Sequence, residues 1–311
     1  MSLKQSLLAG LTMAAALLIA APAMAQGKLK IGMAVQDINN PVWAAICENM
    51  KAQASKDGAD FTYVACESNV AKQIQQVENF IASGDQVIVV HPADPAGIEA
   101  VLKEARAKGI KVLSWDDKLE NADACWVINN YDLGYMIGEQ AAAWINTRLG
   151  GNAEVAVLNY PQLPILLQRG NGIVAALKAK APKAKIVAET SAINPAEGQN
   201  KMETIFQAHP NVKVVCAIGG GGAVGANEAA KEASKVTPDF GIFAADATEQ
   251  ELKAIKANEG CRMSVMITGG PVKMADAVYG LVKKLGAGQS VPKEIFRTLT
   301  PITARNTDLV Q

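Results

Sequence analysis

The sequence predicts an α/β protein of two lobes, each built on a parallel sheet. Short β-branched runs alternate with longer Ala-rich segments of helical period, the mark of repeated strand-helix units. The length, 311 residues, fits two domains at about 100–200 residues each. The alternation also starts afresh after Asn129-Asn130-Tyr131-Asp132, where the two lobes are expected to join. Half of the chain is apolar (50%) and 30 Lys and Arg balance 30 Asp and Glu. Such a chain collapses, which excludes intrinsic disorder, and it lacks the basic excess needed to neutralise phosphates, which excludes nucleic acid as a partner.

The first 25 residues form a targeting segment. Lys4 supplies the positive start, 7–21 is apolar, and Ala23-Met24-Ala25 offers a small-residue cleavage site before Gln26. The apolar run is shorter than the ~20 residues that span a bilayer, and no later stretch is long and apolar enough. No Cys follows the cleavage site to carry a lipid. A soluble exported protein is expected, most simply one of a bacterial periplasm, without membrane insertion.

The remaining elements follow in order. Strands are expected over 30–35, 61–65, 86–90, 111–114, 125–128, 154–158, 185–188, 212–218, 241–244 and 262–267. Helices are expected over 42–56, 71–81, 96–107, 133–149, 165–179, 196–208, 223–234, 249–257 and 272–285. Five cysteines (Cys47, Cys66, Cys125, Cys216 and Cys261) form no Cys-x-x-Cys pair and read as small buried apolar residues, with a Cys47–Cys66 disulfide left open. With only His91 and His209 as histidines, a zinc site has almost no ligands to draw on, and no cofactor is expected.

Ligands of parallel α/β sheets bind outside the carboxyl ends of the strands, and here those ends are polar. They carry Asp37-Ile38-Asn39-Asn40 with Trp43 close by, Glu67-Ser68-Asn69, His91-Pro92-Ala93-Asp94, Trp115-Asp116-Asp117, Asn129-Asn130, Asn159-Tyr160 and Ala245-Asp246. Planar polar groups bond hydroxyls in pairs and aromatic faces cover C–H surface, so the set suits a polyhydroxylated ligand. Singly, each Asn or Asp also reads as a helix cap or turn residue. A second motif competes: Gly220-Gly221-Gly222-Ala223-Val224-Gly225 follows a strand and opens a helix, with Asp246 at the end of the next strand, the pattern of a dinucleotide site and hence of an oxidoreductase. Against it stand the export signal and the lack of a catalytic set, since His91 reads as a satisfied residue of a cleft wall and His209 as part of a turn. The glycines then serve as a loop that lets a ligand or the other lobe approach the backbone.

With these residues in place the chain resembles the type I periplasmic sugar-binding proteins of the ribose-receptor group over nearly its whole mature length. The markers are Asn39-Asn40-Pro41, Asp116, Asn129-Asn130-Tyr131-Asp132-Leu133-Gly134, Arg169-Gly170 and Ala245-Asp246. The resemblance implies two Rossmann-like lobes, 26–129 with 268–297 and 130–267 with 298–311, that hinge shut on one ligand. It implies a monomer, without enzymatic activity, that delivers a small carbohydrate or polyol to the membrane permease of an ABC importer. Position by position it assigns ligand contact to Asn40, Trp43, Asp116, Arg169 and Asp246, with Asn39, Trp115, Asp117 and Gly220 beside them. Asp117 stands where the ribose receptor has Arg, Gly220 where it has Asn and Ile267 where it has Gln, so a ligand other than ribose is implied. Trp115-Asp116 is also similar to the autoinducer-2 and rhamnose receptors, which keeps a furanosyl signal or a chemotaxis role open.

Asp116, Asp117 and Asp246 against Arg169 leave a net charge of −2 among the charged residues mapped to the cleft. Such a cleft disfavours carboxylate and phosphate ligands, and a neutral or amino-bearing one is expected. Replacing Asp116 by alanine is expected to abolish ligand stabilisation and leave the empty protein's Tm nearly unchanged.

Overall fold

The computed structural model describes residues 28–309 other than 37, 39 and 40. The expected targeting segment, Asn39 and Asn40 lie outside the described residues. The first five strands and their helices are β1 (Lys30–Val35), α1 (Pro41–Asp57), β2 (Asp60–Ala65), α2 (Val70–Ser83), β3 (Val87–Val90), α3 (Pro95–Ala107), β4 (Lys111–Asp116) and β5 (Ala124–Val127). A second series follows: α4 (Asn130–Arg148), β6 (Glu154–Asn159), α5 (Pro164–Lys180), β7 (Lys185–Ser191), α6 (Pro195–Ala208), β8 (Val212–Ala217), α7 (Gly220–Glu232), β9 (Gly241–Ala245), α8 (Glu249–Lys256) and β10 (Cys261–Ile267). The chain ends with α9 (Pro271–Gly286), β11 (Glu294–Phe296) and β12 (Leu299–Thr303).

These strands form two sheets, ordered β11-β5-β4-β3-β1-β2 and β12-β10-β9-β8-β6-β7. All pairs are parallel except β12 with β10. Strands covered on both faces read as unbroken apolar runs, as in Val87-Ile88-Val89-Val90 of β3, all buried. The strand period of two divides each sheet between two cores. In the first, Ile31, Met33 and Val35 pack with Ile46 and Met50 of α1 and Val278 and Val282 of α9, while Ala34 faces Phe80 of α2 and Leu102 of α3. In the second, Val155 and Val157 meet Ile137 of α4 and Ile173 of α5, while Ala156 and Leu158 meet Met202 of α6 and Ala226 of α7. This is the type I periplasmic binding protein fold, with the chain passing between lobes after β5, after β10 and after β11.

β11 and β12 escape a sequence reading for physical reasons. β11 has three residues, and β12 carries Pro301, which an edge strand tolerates because one side of its backbone needs no ladder partner. The start of α7 also differs from expectation, at Gly220 rather than 223. A Cβ on Gly221 would lie 2.1 Å from the Ile193 carbonyl, and one on Gly225 2.1 Å from that of Pro195. The glycines therefore let α7 lie against the start of α6 within one lobe. They admit neither a ligand nor the other lobe, which corrects the loop reading. All five cysteines are buried and free, so the Cys47–Cys66 disulfide is not formed. No helix among the described residues is long and apolar enough to cross a membrane.

Candidate functional site

The first lobe builds its half of the site on an aromatic floor. Trp43, in the first turn of α1, stacks on His91 beyond the end of β3, with ring centroids 4.1 Å apart and planes 16° from parallel. Beneath it Trp115 touches Trp43 at 4.7 Å and meets Trp126 of β5 edge-on, also at 4.7 Å. Trp115 is only 1% exposed and shares the α1/α9 core with Leu113, two residues earlier on the same face of β4. The expectation that Trp115 contacts ligand is thus corrected: it supports Trp43 from below.

Asp116, next in the chain, is exposed and left-handed at φ 69°, a conformation that costs a non-glycine residue roughly 1 kcal/mol or more. One carboxylate oxygen accepts from Nη1 of Arg297, and the other lies 3.7 Å from Nε2 of His91. Arg297 arrives from the far end of the chain. Its backbone N–H donates to the Val127 carbonyl at 2.8 Å, continuing the β11–β5 pairing, and its guanidinium lies over Trp126 at 4.6 Å. Burial lowers its pKa, opposed by the charge and hydrogen bond of Asp116. Burial likewise lowers His91 to about 4, against the pull of Asp116 and with the help of Arg297, so the ring is neutral at pH 7. Its Nδ1 is buried without a partner in the described structure, which corrects the reading of a satisfied histidine. Asp117 is half-buried, and burial, then the charge of Asp116, push its carboxyl up to about 6.

The second lobe contributes Arg169, buried within α5. Its Nε and Nη2 donate to Asn130 Oδ1 at 3.1 and 2.7 Å, and Nη1 donates to the Ile218 carbonyl at 2.7 Å. Burial lowers its pKa, while the charges of Asp246 and then Asp116 raise it and that of Arg297 lowers it, so groups of both lobes act on it. Asn129 caps α4, accepting from the Asp132 N–H at 3.2 Å, which gives the Asn-rich crossing its local role. Gly134 completes the arrangement: a Cβ there would lie 1.8 Å from the Arg169 carbonyl, so α4 and α5 touch backbone to backbone at the level of the arginine.

Asp246, exposed and left-handed at φ 92° after β9, accepts from the N–H of Gly220 at 2.9 Å. Its carboxylate therefore holds the start of α7, where a dinucleotide would place its pyrophosphate, and an anion there repels a second one. Gly220 is buried with its N–H engaged, and a Cβ on it would meet Glu251 at 2.5 Å, so it faces Glu251.

Glu251 supports this corner from behind. Its Oε2 accepts from the N–H and hydroxyl of Thr248, both at 2.8 Å, in the capping box of α8. Burial, then the charge of Asp246, raise its pKa from the ordinary 4.5 to about 7. The folded protein thus holds a proton on Glu251 that the unfolded chain loses above 4.5, and stability falls as pH rises from 4.5 through about 7. Glu251→Gln is isosteric and neutral. It should match the parent in urea unfolding at pH 5 and exceed it at pH 8 by on the order of 3 kcal/mol; equal stabilities at pH 8 would refute the neutral Glu251.

Arg297 also belongs in the charge count of the site. It joins Arg169 against Asp116, Asp117 and Asp246, so the net of −2 expected from the mapped residues becomes −1 among the described ones. The polar cluster lies at the carboxyl ends of both sheets. A separate groove of about 830 Å³, lined by Lys28, Lys30, Lys51 and Phe61, lies at the opposite end of β1 and β2.

Against known proteins, the periplasmic binding protein domain matches residues 31–290. The chain belongs to this periplasmic binding protein family. It is 28% identical to the ribose import binding protein RbsB of Bacillus subtilis (strain 168), over 86% of this chain and 85% of the relative. With the xylitol-binding protein of Mycolicibacterium smegmatis it shares 27% identity over 90% of this chain and 78% of the other. Among solved structures it is similar to a carbohydrate transporter solute binding protein from Agrobacterium radiobacter in complex with D-arabinose. The TM-score is 0.72 at 20% identity, covering 92% of this chain and 99% of the other. Sequence reasoning about this binding protein missed Arg297 as a site group, because it lies 181 positions from Asp116 in a segment without a motif. A buried arginine ending a short strand leaves no periodic signal.

Proposed function

We propose that this binding protein is a receptor, without turnover, that captures a small neutral sugar or polyol between its lobes in the periplasm and delivers it to the permease of an ABC importer. The observation that carries the reading is the composition of the site: an indole face at Trp43, carboxylates at Asp116 and Asp246, and a guanidinium at Arg169, drawn from strand ends and helices of both lobes. Ring faces take the C–H side of a sugar, and carboxylates and guanidinium take its hydroxyls. The names of relatives agree in ligand class, with ribose and xylitol among them. His91, neutral and stacked on Trp43, belongs to the wall of the site, and all five cysteines are buried.

Closure of the lobes, 26–129 with 268–297 against 130–267 with 298–311, runs through the three crossings. Thr268, Gly269 and Gly270 are all left-handed in φ, at 63°, 92° and 82°, and the Thr268 N–H donates to the Thr298 carbonyl at 2.8 Å, tying two crossings together. The ligand shifts the population towards the closed form by binding it better.

A thermal-shift screen of the mature chain from Gln26 tests the function. Pentoses, hexoses, polyols, amino sugars, sugar acids, autoinducer-2 and NAD(P) form the panel. One neutral sugar or polyol at about 100 times its Kd should add roughly 2.7 kcal/mol, a shift of several degrees. A response to a sugar acid above every neutral compound, or to NAD alone, would overturn the proposal.

A further inference from the structure

Arg297 is 8% exposed, yet among the described residues only one of its guanidinium nitrogens meets an anion. Nη1 bonds Asp116, Nη2 reaches the Met274 sulfur at 3.5 Å, and Nε is buried without a partner in the described structure. The cation lies over Trp126 at 4.6 Å and Trp115 at 5.9 Å, so the aromatic floor under Trp43 is also the seat of the charge. Burying a guanidinium with incomplete pairing is a poor route to stability, since an apolar side chain of the same volume does as well or better. What the pair does accomplish is local: it engages one oxygen of Asp116, in a left-handed residue, and leaves the other 3.7 Å from Nε2 of His91.

We propose that Arg297 is a positioning residue that sets the charge preference of the site: by fixing Asp116 and offsetting its charge, it makes the receptor take uncharged polyhydroxylated ligands in preference to aminated ones. The proposal rests on the receptor reading above and narrows it. Arg297 adds one positive charge to the described groups of the cleft, taking their net from −2 to −1, and the attraction for an ammonium group falls accordingly.

Titration calorimetry on the full mature protein, with the tightest neutral sugar or polyol and its amino analogue, reads the effect. Arg297→Met should weaken the neutral ligand about 10- to 100-fold and move the neutral-to-aminated affinity ratio towards the aminated ligand by about fivefold or more. Arg297→Lys, which keeps the charge, should hold that ratio within about twofold. The double variant Arg297→Met/Asp116→Asn should bind no worse than Asp116→Asn alone, because Arg297 acts through Asp116. Equal weakening of both ligands by Arg297→Met would overturn the proposal and leave Arg297 a structural ion pair.

A second readout needs no ligand. His91 faces Asp116 and Arg297, and His209 is the only other histidine to resolve from it in a proton NMR titration. In Arg297→Met the His91 midpoint should rise by roughly one pH unit, since the lost cation no longer opposes protonation. An unmoved midpoint would overturn the charge role whatever the ligand. A moved midpoint with a silent ligand panel would support Arg297's control of the charge and overturn the receptor reading instead.

Discussion

Asp116→Ala abolishes ligand stabilisation and also lowers the stability of the empty protein by about 3 kcal/mol. The first effect follows from the position of Asp116, an exposed residue at the end of β4 whose second oxygen lies beside His91. The second follows from Arg297, whose buried guanidinium loses its one anionic partner among the described residues. This reverses the expectation from sequence that the empty protein's Tm would be unchanged, because the ion pair joins residues 181 apart. Differential scanning calorimetry of the unliganded protein checks it. A Tm within about 1 °C of the parent would show that Arg297 finds another partner, and retained binding would remove Asp116 from the site.

Gly134→Ala is the most damaging single-methyl change expected. The added Cβ would overlap the Arg169 carbonyl at 1.8 Å, and backbone cannot swing aside as a side chain does. The neighbours repeat the constraint: Gly172 lies with its Cβ direction 2.2 Å from the Tyr131 carbonyl, and Gly138 2.5 Å from that of Ile173. α4 and α5 must separate, at a cost of roughly 3 kcal/mol, and the Arg169–Asn130 hydrogen bonds across the two helices must stretch with them. Urea unfolding should show the loss, and calorimetry should show ligand affinity falling together with it. Parent-like stability would mean that the two helices are not in contact at this level. Loss of stability with affinity intact would mean that Arg169 is held by α5 alone.

Much of the fold was legible in local sequence. The strand at Lys30–Val35 and the helix at Pro195–Ala208 stand within one residue of their expected bounds, because apolar period and Pro at the first helical turn are local signals. The site was legible to the extent that strand ends are where such sheets bind ligands, which singles out Asp116 and Asp246. Trp115 shows the limit: an indole beside a site aspartate reads as a ligand contact, and only the side of the strand it occupies makes it core. The glycine run shows another, since a phosphate loop and a close helix contact demand the same small residue.

The sequence by itself determined the two-lobed α/β architecture, the targeting segment as an expectation, and the polar character of the strand ends, because periodicity, composition and position along a strand are properties of neighbouring residues. Only the tertiary structure decided the electrostatics of the site. Whether the net charge is −2 or −1, whether His91 is neutral and whether Glu251 holds a proton all depend on burial and on charges distant in sequence. Coulomb energies depend on distance in space and on exclusion of water, and neither is encoded in the spacing of residues along the chain.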